Sequence, residues 1–243
     1  MMYPFFNKLS SSILRRTISS TKPTYTGRRR QHLNPFAGIL ASLKPTPESI
    51  DWSTIFEQSD AKKYHLDLGS GSGLYLSEVA KENRDTNWIG VEIKENLVNH
   101  ANDVFGHNVN NYTMIWANLL QNETLSILFN SLPKGEPSSV SILHPDPNFK
   151  KRMKKRDLVT KPFVDLLSYH LDPGTLVYTQ SDVLQVDHEI HTIFTNHPLF
   201  EEMKNIKKDL PLLGIPTDRE QAILDEGKSN IYRRCYRRTF ELI

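Results

Sequence analysis

Residues 64–73 constrain the fold of this chain more tightly than any other stretch. A short apolar run, 64–68, leads into Asp67-Leu68-Gly69-Ser70-Gly71-Ser72-Gly73. Glycines at alternate positions permit a sharp turn, and without Cβ atoms the backbone can come close to a ligand. Immediately afterwards Leu74, Leu76, Val79 and Ala80 fall on one helical face. Strand, glycine turn and helix open a βαβ unit, and the pattern continues. Residues 87–92 read as a second strand, and Leu97, Val98, Ala101, Val104 and Phe105 follow at helical spacing. Residues 112–116, 140–144 and 176–180 read as further strands, and 231–242 as a last one. Residues 162–170 and the set Val183, Val186, Ile190, Ile193 and Phe194 read as helices, and a short helix is expected at 50–58. This alternation predicts an α/β fold, a mostly parallel central sheet with helices on both faces. In such sheets ligands bind beyond the C-terminal strand ends.

The 243 residues suffice for one medium domain with a full core. A single cysteine, Cys235, excludes an intramolecular disulfide and a cysteine-rich zinc site. The apolar stretches fall short of the roughly 20 residues that cross a bilayer, so no membrane span is expected. The net charge of +2 conceals an asymmetry: residues 1–47 hold eight basic side chains and no acid, leaving 22 basic against 28 acidic in the remainder. Residues 1–22 are also rich in Ser and Thr, with Leu9, Ile13, Leu14 and Ile18 at roughly helical spacing. That composition predicts an organelle transit peptide over about 1–25, ahead of a domain at 26–243. The paired arginines of Leu14-Arg15-Arg16-Thr17-Ile18 favour the mitochondrion over the plastid. The alternative is a basic tail that adds affinity for RNA in the nucleus or cytoplasm.

Twenty-five residues after Asp67, Glu92 closes the second strand. A carboxylate there can accept hydrogen bonds from two ribose hydroxyls and would repel a 2′-phosphate. The glycine spacing also departs from Gly-x-Gly-x-x-Gly, because Leu74 stands three residues after Gly71. Asn118, past the third strand, is a candidate partner for an adenine or its amino group. Each feature has a plain alternative: an ordinary βα loop, a solvated helix cap and a loop asparagine. As a set, Asp67, Gly69, Gly71, Gly73 and Glu92 resemble the first motifs of the Rossmann-like class I methyltransferases. The resemblance implies that the acid and the glycine turn hold the amino-acid end of S-adenosylmethionine.

The fourth strand runs into His144-Pro145-Asp146-Pro147-Asn148-Phe149, then Lys150-Lys151-Arg152-Met153-Lys154-Lys155-Arg156. Six basic residues in seven, beside a cofactor site, point to a polyanionic substrate held through phosphates. A solvated loop or a localisation signal is the alternative. The segment resembles the Pro-Asp-Pro-Trp-Pro-Lys-Lys-Arg-His-x-Lys-Arg signature of the tRNA (guanine-N7-)-methyltransferases. The resemblance runs from about Arg30 to the C-terminus. It takes in Arg30-Gln31-His32-Leu33-Asn34-Pro35, Thr179-Gln180-Ser181-Asp182 and Thr217-Asp218-Arg219-Glu220. It implies that Asp67, Glu92 and Asn118 bind the methyl donor, and that Asp146 binds it or acts at the reacting centre. By the same resemblance, Lys150, Asp182, Thr217, Asp218, Arg219 and Glu220 would line a guanine pocket, and Arg152, Lys154, Lys155 and Arg156 would touch tRNA. Eukaryotic members also work with a β-propeller partner subunit. The chain departs from the signature at Asn148-Phe149, where the family has Trp-Pro, and at Met153, where it has His.

Some of these residues have structural readings as well. Thr217 and Glu220 match a Thr-x-x-Glu capping box before Ala222, Ile223 and Leu224, and Asp182 could cap a helix. Guanine N7 carries no proton, so its methylation requires neither a general base nor a metal. Two other functions stay open on sequence alone. One is a methyltransferase acting on a protein or small molecule, and the other a non-catalytic tRNA-binding subunit.

Overall fold

The computed structural model describes residues 33–44, 50–134, 136–204 and 214–240. The proposed leader at 1–25 and the Arg30-Gln31-His32 motif lie outside the described residues. Residues Asn34–Ile243 form a compact unit.

Seven strands build one sheet. They are β1 (Lys63–Leu68), β2 (Thr86–Glu92), β3 (Tyr112–Trp116), β4 (Ser139–Leu143), β5 (Leu176–Ser181), β6 (Phe200–Glu202) and β7 (Tyr232–Arg238). Their spatial order is β3-β2-β1-β4-β5-β7-β6. The first five pair in parallel, while β7 runs antiparallel to both β5 and β6. The order reverses between β1 and β4, which opens a crevice at their C-terminal ends.

Alternate residues of the strands feed two separate cores, as the two-residue pleat requires. Leu66, Leu68, Ile89, Val91, Val140 and Ile142 join one cluster. It is covered by α4 (Asn122–Ser131), α5 (Lys161–His170) and α6 (Leu184–Thr195), through Leu125, Leu128, Phe163, Leu167, Ile190 and Phe194. On the opposite face Trp88, Tyr112 and Met114 pack against α2 (Leu74–Glu82) and α3 (Glu95–Ala101). All seven residues of β2 are buried, as expected of a strand covered on both sides.

The helix ends follow local chemistry. Asp51 caps α1 (Trp52–Ile55), accepting from the Ser53 and Thr54 N–H groups at 3.0 and 3.3 Å. Thr160 caps α5, where Pro162 occupies a position that needs no N–H donor. The structure shortens the helix expected at 50–58 to four residues; of the strand expected at 231–242, Tyr232–Arg238 form β7, and residues 241–242 lie outside the described residues. Two elements, α4 and the three-residue β6, have no counterpart among the sequence expectations. The basic run expected as a loop is a 3-10 helix, Lys151–Arg156.

Gly90, at the centre of β2, allows the glycine turn to sit against the sheet. A Cβ there would overlap Met114 Sδ and come within 2.6 Å of Ser70 Oγ. Gly90→Ala should therefore destabilise the protein by about 1–3 kcal/mol, the usual cost of overpacking. It should also displace Ser70 and weaken binding of the methyl donor. Thermal melts and calorimetric titration with S-adenosylhomocysteine check both effects, and unchanged values in both would exclude this packing role.

Candidate active site

Three groups of side chains converge at the C-terminal ends of β1, β2, β4 and β5. The first surrounds the glycine turn. Gly69, Gly71 and Gly73 all have positive φ, at 95°, 59° and 71°, a region that L-residues with a Cβ avoid. At Gly69 and Gly71 a Cβ would project into open space, whereas at Gly73 it would strike the Tyr112 hydroxyl. The first two thus form an open cradle, and the third lets α2 start against β3.

Two buried carboxylates flank the cradle. Glu92 accepts from the N–H groups of Gly71, Ile93 and Lys94 at 3.0, 2.9 and 3.0 Å. Burial still holds its pKa above the usual value. Glu92 therefore fixes the loop as well as offering acceptor positions, because a carboxylate has about four. Asp67 lies opposite Ser141 in the β1–β4 register and accepts from its hydroxyl at 2.6 Å. His65, two residues earlier on the same face, reaches Ser139 Oγ through Nδ1 (2.7 Å) and Ser141 Oγ through Nε2 (2.8 Å). Since Ser141 gives its hydrogen to Asp67, His65 Nε2 must be the donor to Ser141. The chain Ser139–His65–Ser141–Asp67 runs from the core to the cradle. Burial pushes the His65 pKa down to about 3, so the relay is neutral up to Asp67, whose own pKa burial raises.

Asn118 is more constrained than the sequence implied. Its amide donates to the carbonyls of Pro35 and Leu40 at 2.8 and 2.7 Å, and its Oδ1 accepts from Leu120 N–H at 3.0 Å. Both amide hydrogens are used in pinning the segment 35–40. What Asn118 offers an adenine is the remaining acceptor position on Oδ1.

The second group is an acidic network at the ends of β4, β5 and β7. The β5–β7 register sets Gln180 opposite Arg233. Arg233 Nε donates to Gln180 Oε1 at 3.2 Å, and its guanidinium pairs with Glu220. The Gln180 amide nitrogen lies 3.0 Å from Glu220 Oε2 and 2.9 Å from His144 Nε2. His144 Nδ1 in turn lies 3.2 Å from Asp182 Oδ1, while Arg219 grips Asp182 Oδ2 at 2.6 Å. Burial raises the Asp182 carboxyl, but the hydrogen bonds from Arg219 and His144 outweigh it and leave its pKa below the usual value.

The Thr217–Glu220 motif divides between roles. Thr217 caps α7 (Asp218–Asp225), accepting from Glu220 N–H at 3.1 Å. The Glu220 carboxylate does not turn back to complete a capping box but joins the network. Asp218 accepts from Ser72 Oγ, which ties α7 to the glycine turn. Asp182 is bound to the network rather than serving as a cap: at the start of α6, Ser181 Oγ receives the Val183 N–H at 3.1 Å. Sequence reasoning missed His144, Gln180 and Arg233. Gln180 stood inside a quoted motif, and the β5–β7 pairing that brings in Arg233 has no local signal.

The third group is the basic turn after β4. Lys150, Lys151, Arg152 and Lys155 are exposed. Lys155 also sits over the Phe36 ring, 5.5 Å from its centroid. Lys154 is already engaged, with its ammonium 2.6 Å from Glu189 on α6 and 3.2 Å from Asp157. It anchors the turn, and Arg156 is half-buried. Asp146 is exposed and lines a cleft of about 520 Å³ with Phe149, Leu158, Val186 and Ile190. Asn148 donates to the Asp146 carbonyl at 3.3 Å, so the turn closes without the family's tryptophan. Among the described residues, no group of three His, Cys, Asp or Glu could hold a metal ion, and no helix is long and apolar enough to cross a membrane.

These groups imply a division between exposed and engaged cations. Replacing Lys151, Arg152 and Lys155 with Gln should weaken tRNA binding. It should also flatten the salt dependence, by up to about 0.7–0.9 in slope for each phosphate that is no longer neutralised. Lys154→Gln should act mainly on the turn, costing at most about 1 kcal/mol as a surface pair does. Filter binding over a salt series measures this, and a triple variant with the wild-type slope would leave the turn as mere solvated surface.

The sequence profile of the family described as "Putative methyltransferase" matches residues 61–233. A tRNA (guanine-N(7)-)-methyltransferase of Synechococcus sp. (strain JA-2-3B'a(2-13)) is 39% identical over 200 residues, covering 81% of this chain and 79% of its own. One from Synechococcus sp. (strain JA-3-3Ab) is 38% identical over 226 residues, 88% and 91% of the two chains. A third, from Prochlorococcus marinus (strain MIT 9313), is 34% identical over 214 residues, 86% and 87%. Among solved structures, the 16S rRNA methyltransferase KamB shares the fold at a TM-score of 0.51 and 11% identity, over 78% of this chain and 93% of that one. With the glycine turn, the acidic network and the basic turn set along one sheet edge, the chain belongs to the tRNA (guanine-N7-)-methyltransferase family.

Proposed function

We propose that the chain carries out its family's reaction, methyl transfer from S-adenosylmethionine to N7 of a guanine in tRNA, through a division of labour among the three groups. The observation that carries this reading is α7, which joins the glycine turn through Ser72–Asp218 and the acidic network through Glu220. Donor cradle and base pocket are thereby parts of one edge, with the cationic turn beside them. S-adenosylmethionine supplies an electrophilic methyl group on a sulfonium. Asp67 and Glu92, with the Gly69–Gly73 backbone, hold its amino-acid and ribose ends, and Asn118 faces the adenine.

Guanine N7 has a free lone pair, so the protein needs to align rather than deprotonate it. Alignment alone can lower a barrier by about 7–11 kcal/mol in favourable cases. Positive charge moves onto the purine as the methyl arrives. Asp182 and Glu220 offset it and accept from guanine N1–H and the 2-amino group, a donor pair that adenine lacks. Both are shielded from solvent, where a carboxylate acts more strongly than in water. Asp146 adds a further negative charge at the mouth of the site. Its exposure weakens that contribution. Lys150, Arg152, Lys155 and Arg156 hold the tRNA backbone, with the target in the variable loop and a β-propeller subunit as a candidate partner.

Incubation with tRNA and labelled donor, followed by nucleoside analysis, tests the reaction. Labelled 7-methylguanosine is the expected product. Tight tRNA binding with no transfer would instead favour a non-catalytic subunit, the reading suggested by Asn148-Phe149. Asp146→Asn should slow single-turnover transfer on the order of 10–100-fold, less than loss of a buried preorganised group, with tRNA affinity unchanged. A wild-type rate would remove Asp146 from the mechanism.

The leader's address is a separate part of this reading. Its acid-free, Arg- and Ser-rich composition supports import into an organelle. The paired arginines favour the mitochondrion, and the cyanobacterial source of the relatives described above adds weight to the plastid. A fluorescent fusion of residues 1–25 should enter one of the two isolated organelles, and exclusion from both would overturn targeting.

A further inference from the structure

His144 and Gln180 have no role assigned by the family resemblance, yet every bond of the acidic network passes through one of them or through an arginine. His144 follows β4 with a φ of 50°, the one non-glycine residue with positive φ among those described. A histidine there stores strain, since a Cβ is unfavourable in the left-handed region. Its ring is nevertheless well ordered by two partners, Asp182 at Nδ1 and Gln180 at Nε2. The hydrogen positions follow from chemistry. Arg233 Nε can only donate, so the group facing it is the Gln180 oxygen and the amide NH₂ points the other way. That NH₂ has two hydrogens and two acceptors, Glu220 Oε2 and His144 Nε2. His144 must then be neutral and carry its proton on Nδ1, donated to Asp182. Burial keeps the ring below its usual pKa, against the pull of Asp182 and Glu220.

We propose that neutral His144 and the Gln180 amide are positioning residues that hold Asp182 and Glu220 at a fixed separation as a paired acceptor for the guanine N1–H and 2-amino edge. The inference rests on the assignment of those two carboxylates to base recognition. Each carboxylate retains capacity for a base. Glu220 uses one acceptor position on each oxygen, for Gln180 and Arg233, while Asp182 uses one on Oδ1 for His144 and both on Oδ2 for Arg219. With roughly four positions per carboxylate, open lone pairs remain while the side-chain directions are set. Arg219 and Arg233 each orient their own carboxylate through a planar guanidinium, but neither arginine sets the separation between the two carboxylates. Gln180 does, by linking the two halves with a single planar amide. The frame selects a base by shape of its donor edge, so its loss is felt as lost discrimination before it is felt as lost turnover.

The test uses the full chain and two tRNAs that differ only in the target base, guanine or inosine. Inosine keeps N7 and N1–H and lacks the 2-amino group. Any intrinsic difference in N7 reactivity is the same for every variant and cancels when ratios are compared. The wild type should prefer guanine in kcat/KM on the order of 10–100-fold, the worth of one hydrogen bond to a charged group. Gln180→Met keeps the side-chain length and removes all three of its hydrogen bonds, to Glu220, His144 and Arg233. His144→Asn suits the left-handed backbone and shortens the reach to Asp182. In both variants the preference should fall to within about threefold of the intrinsic ratio. Affinity for S-adenosylhomocysteine should stay unchanged. The substitutions enter from different strands, so if one lowers the melting temperature the other decides. A wild-type preference that persists in the folded variant while turnover drops would overturn the positioning role and leave the carboxylate assignment standing. A wild type that does not distinguish the two bases would overturn the carboxylate assignment itself, and the frame with it.

Discussion

Parallel pairing of β1 with β2 on one side and β4 on the other sends the connections after β1 and β4 to opposite faces of the sheet. The glycine turn leaves one side of the crevice between β1 and β4, and the His144–Asn148 turn with its basic extension leaves the other. The glycine turn and the groups that follow β4 are neighbours for this reason, although 75 residues separate Gly69 from His144. The register does the finer work. It sets Asp67 against Ser141 and Gln180 against Arg233, so side chains distant in sequence meet on one face.

Such an edge concentrates negative charge in poorly solvated surroundings, and each carboxylate is compensated differently. Glu92 draws on three backbone N–H groups, Asp67 on a neutral relay through Ser141, and Asp182 and Glu220 on arginines. Burial acts against the charged form in the first two. A cationic ligand offsets that penalty directly, which suits a donor that carries both an ammonium and a sulfonium. The compensation at Asp182 and Glu220 already comes from the protein itself, so what these residues add is direction and not simply charge.

The order of strands and helices is readable because apolar residues repeat at the period of each element, and the glycine and basic motifs announce themselves by composition. The α4 helix has no side-chain cap at Gln121, so its start carries no local signal, although Leu125, Leu128 and Phe129 lie on one face. The β6 strand is three residues long and exists through pairing with β7. The same distinction holds in the site. Asp67 and Glu92 sit at strand ends where local pattern points to them. The multiple bonds of Asn118, the turn-anchoring role of Lys154 and the frame of His144 and Gln180 depend on hydrogen bonds between residues 35 to 83 positions apart. No spacing rule within one segment reports such pairings.

The α7 helix touches both halves of the edge at its first turn: Asp218 reaches back to Ser72 of the glycine loop, while Glu220, two residues on, faces Gln180. A short, capped helix transmits displacement with little internal give. If the loop and the network bind donor and base as proposed, order imposed on the loop by one ligand would already be imposed on the pocket for the other, and the second association would have less freedom left to remove. By thermodynamic linkage the benefit is mutual and equal in both directions. On the same reading, departure of either product would loosen the hold on the other.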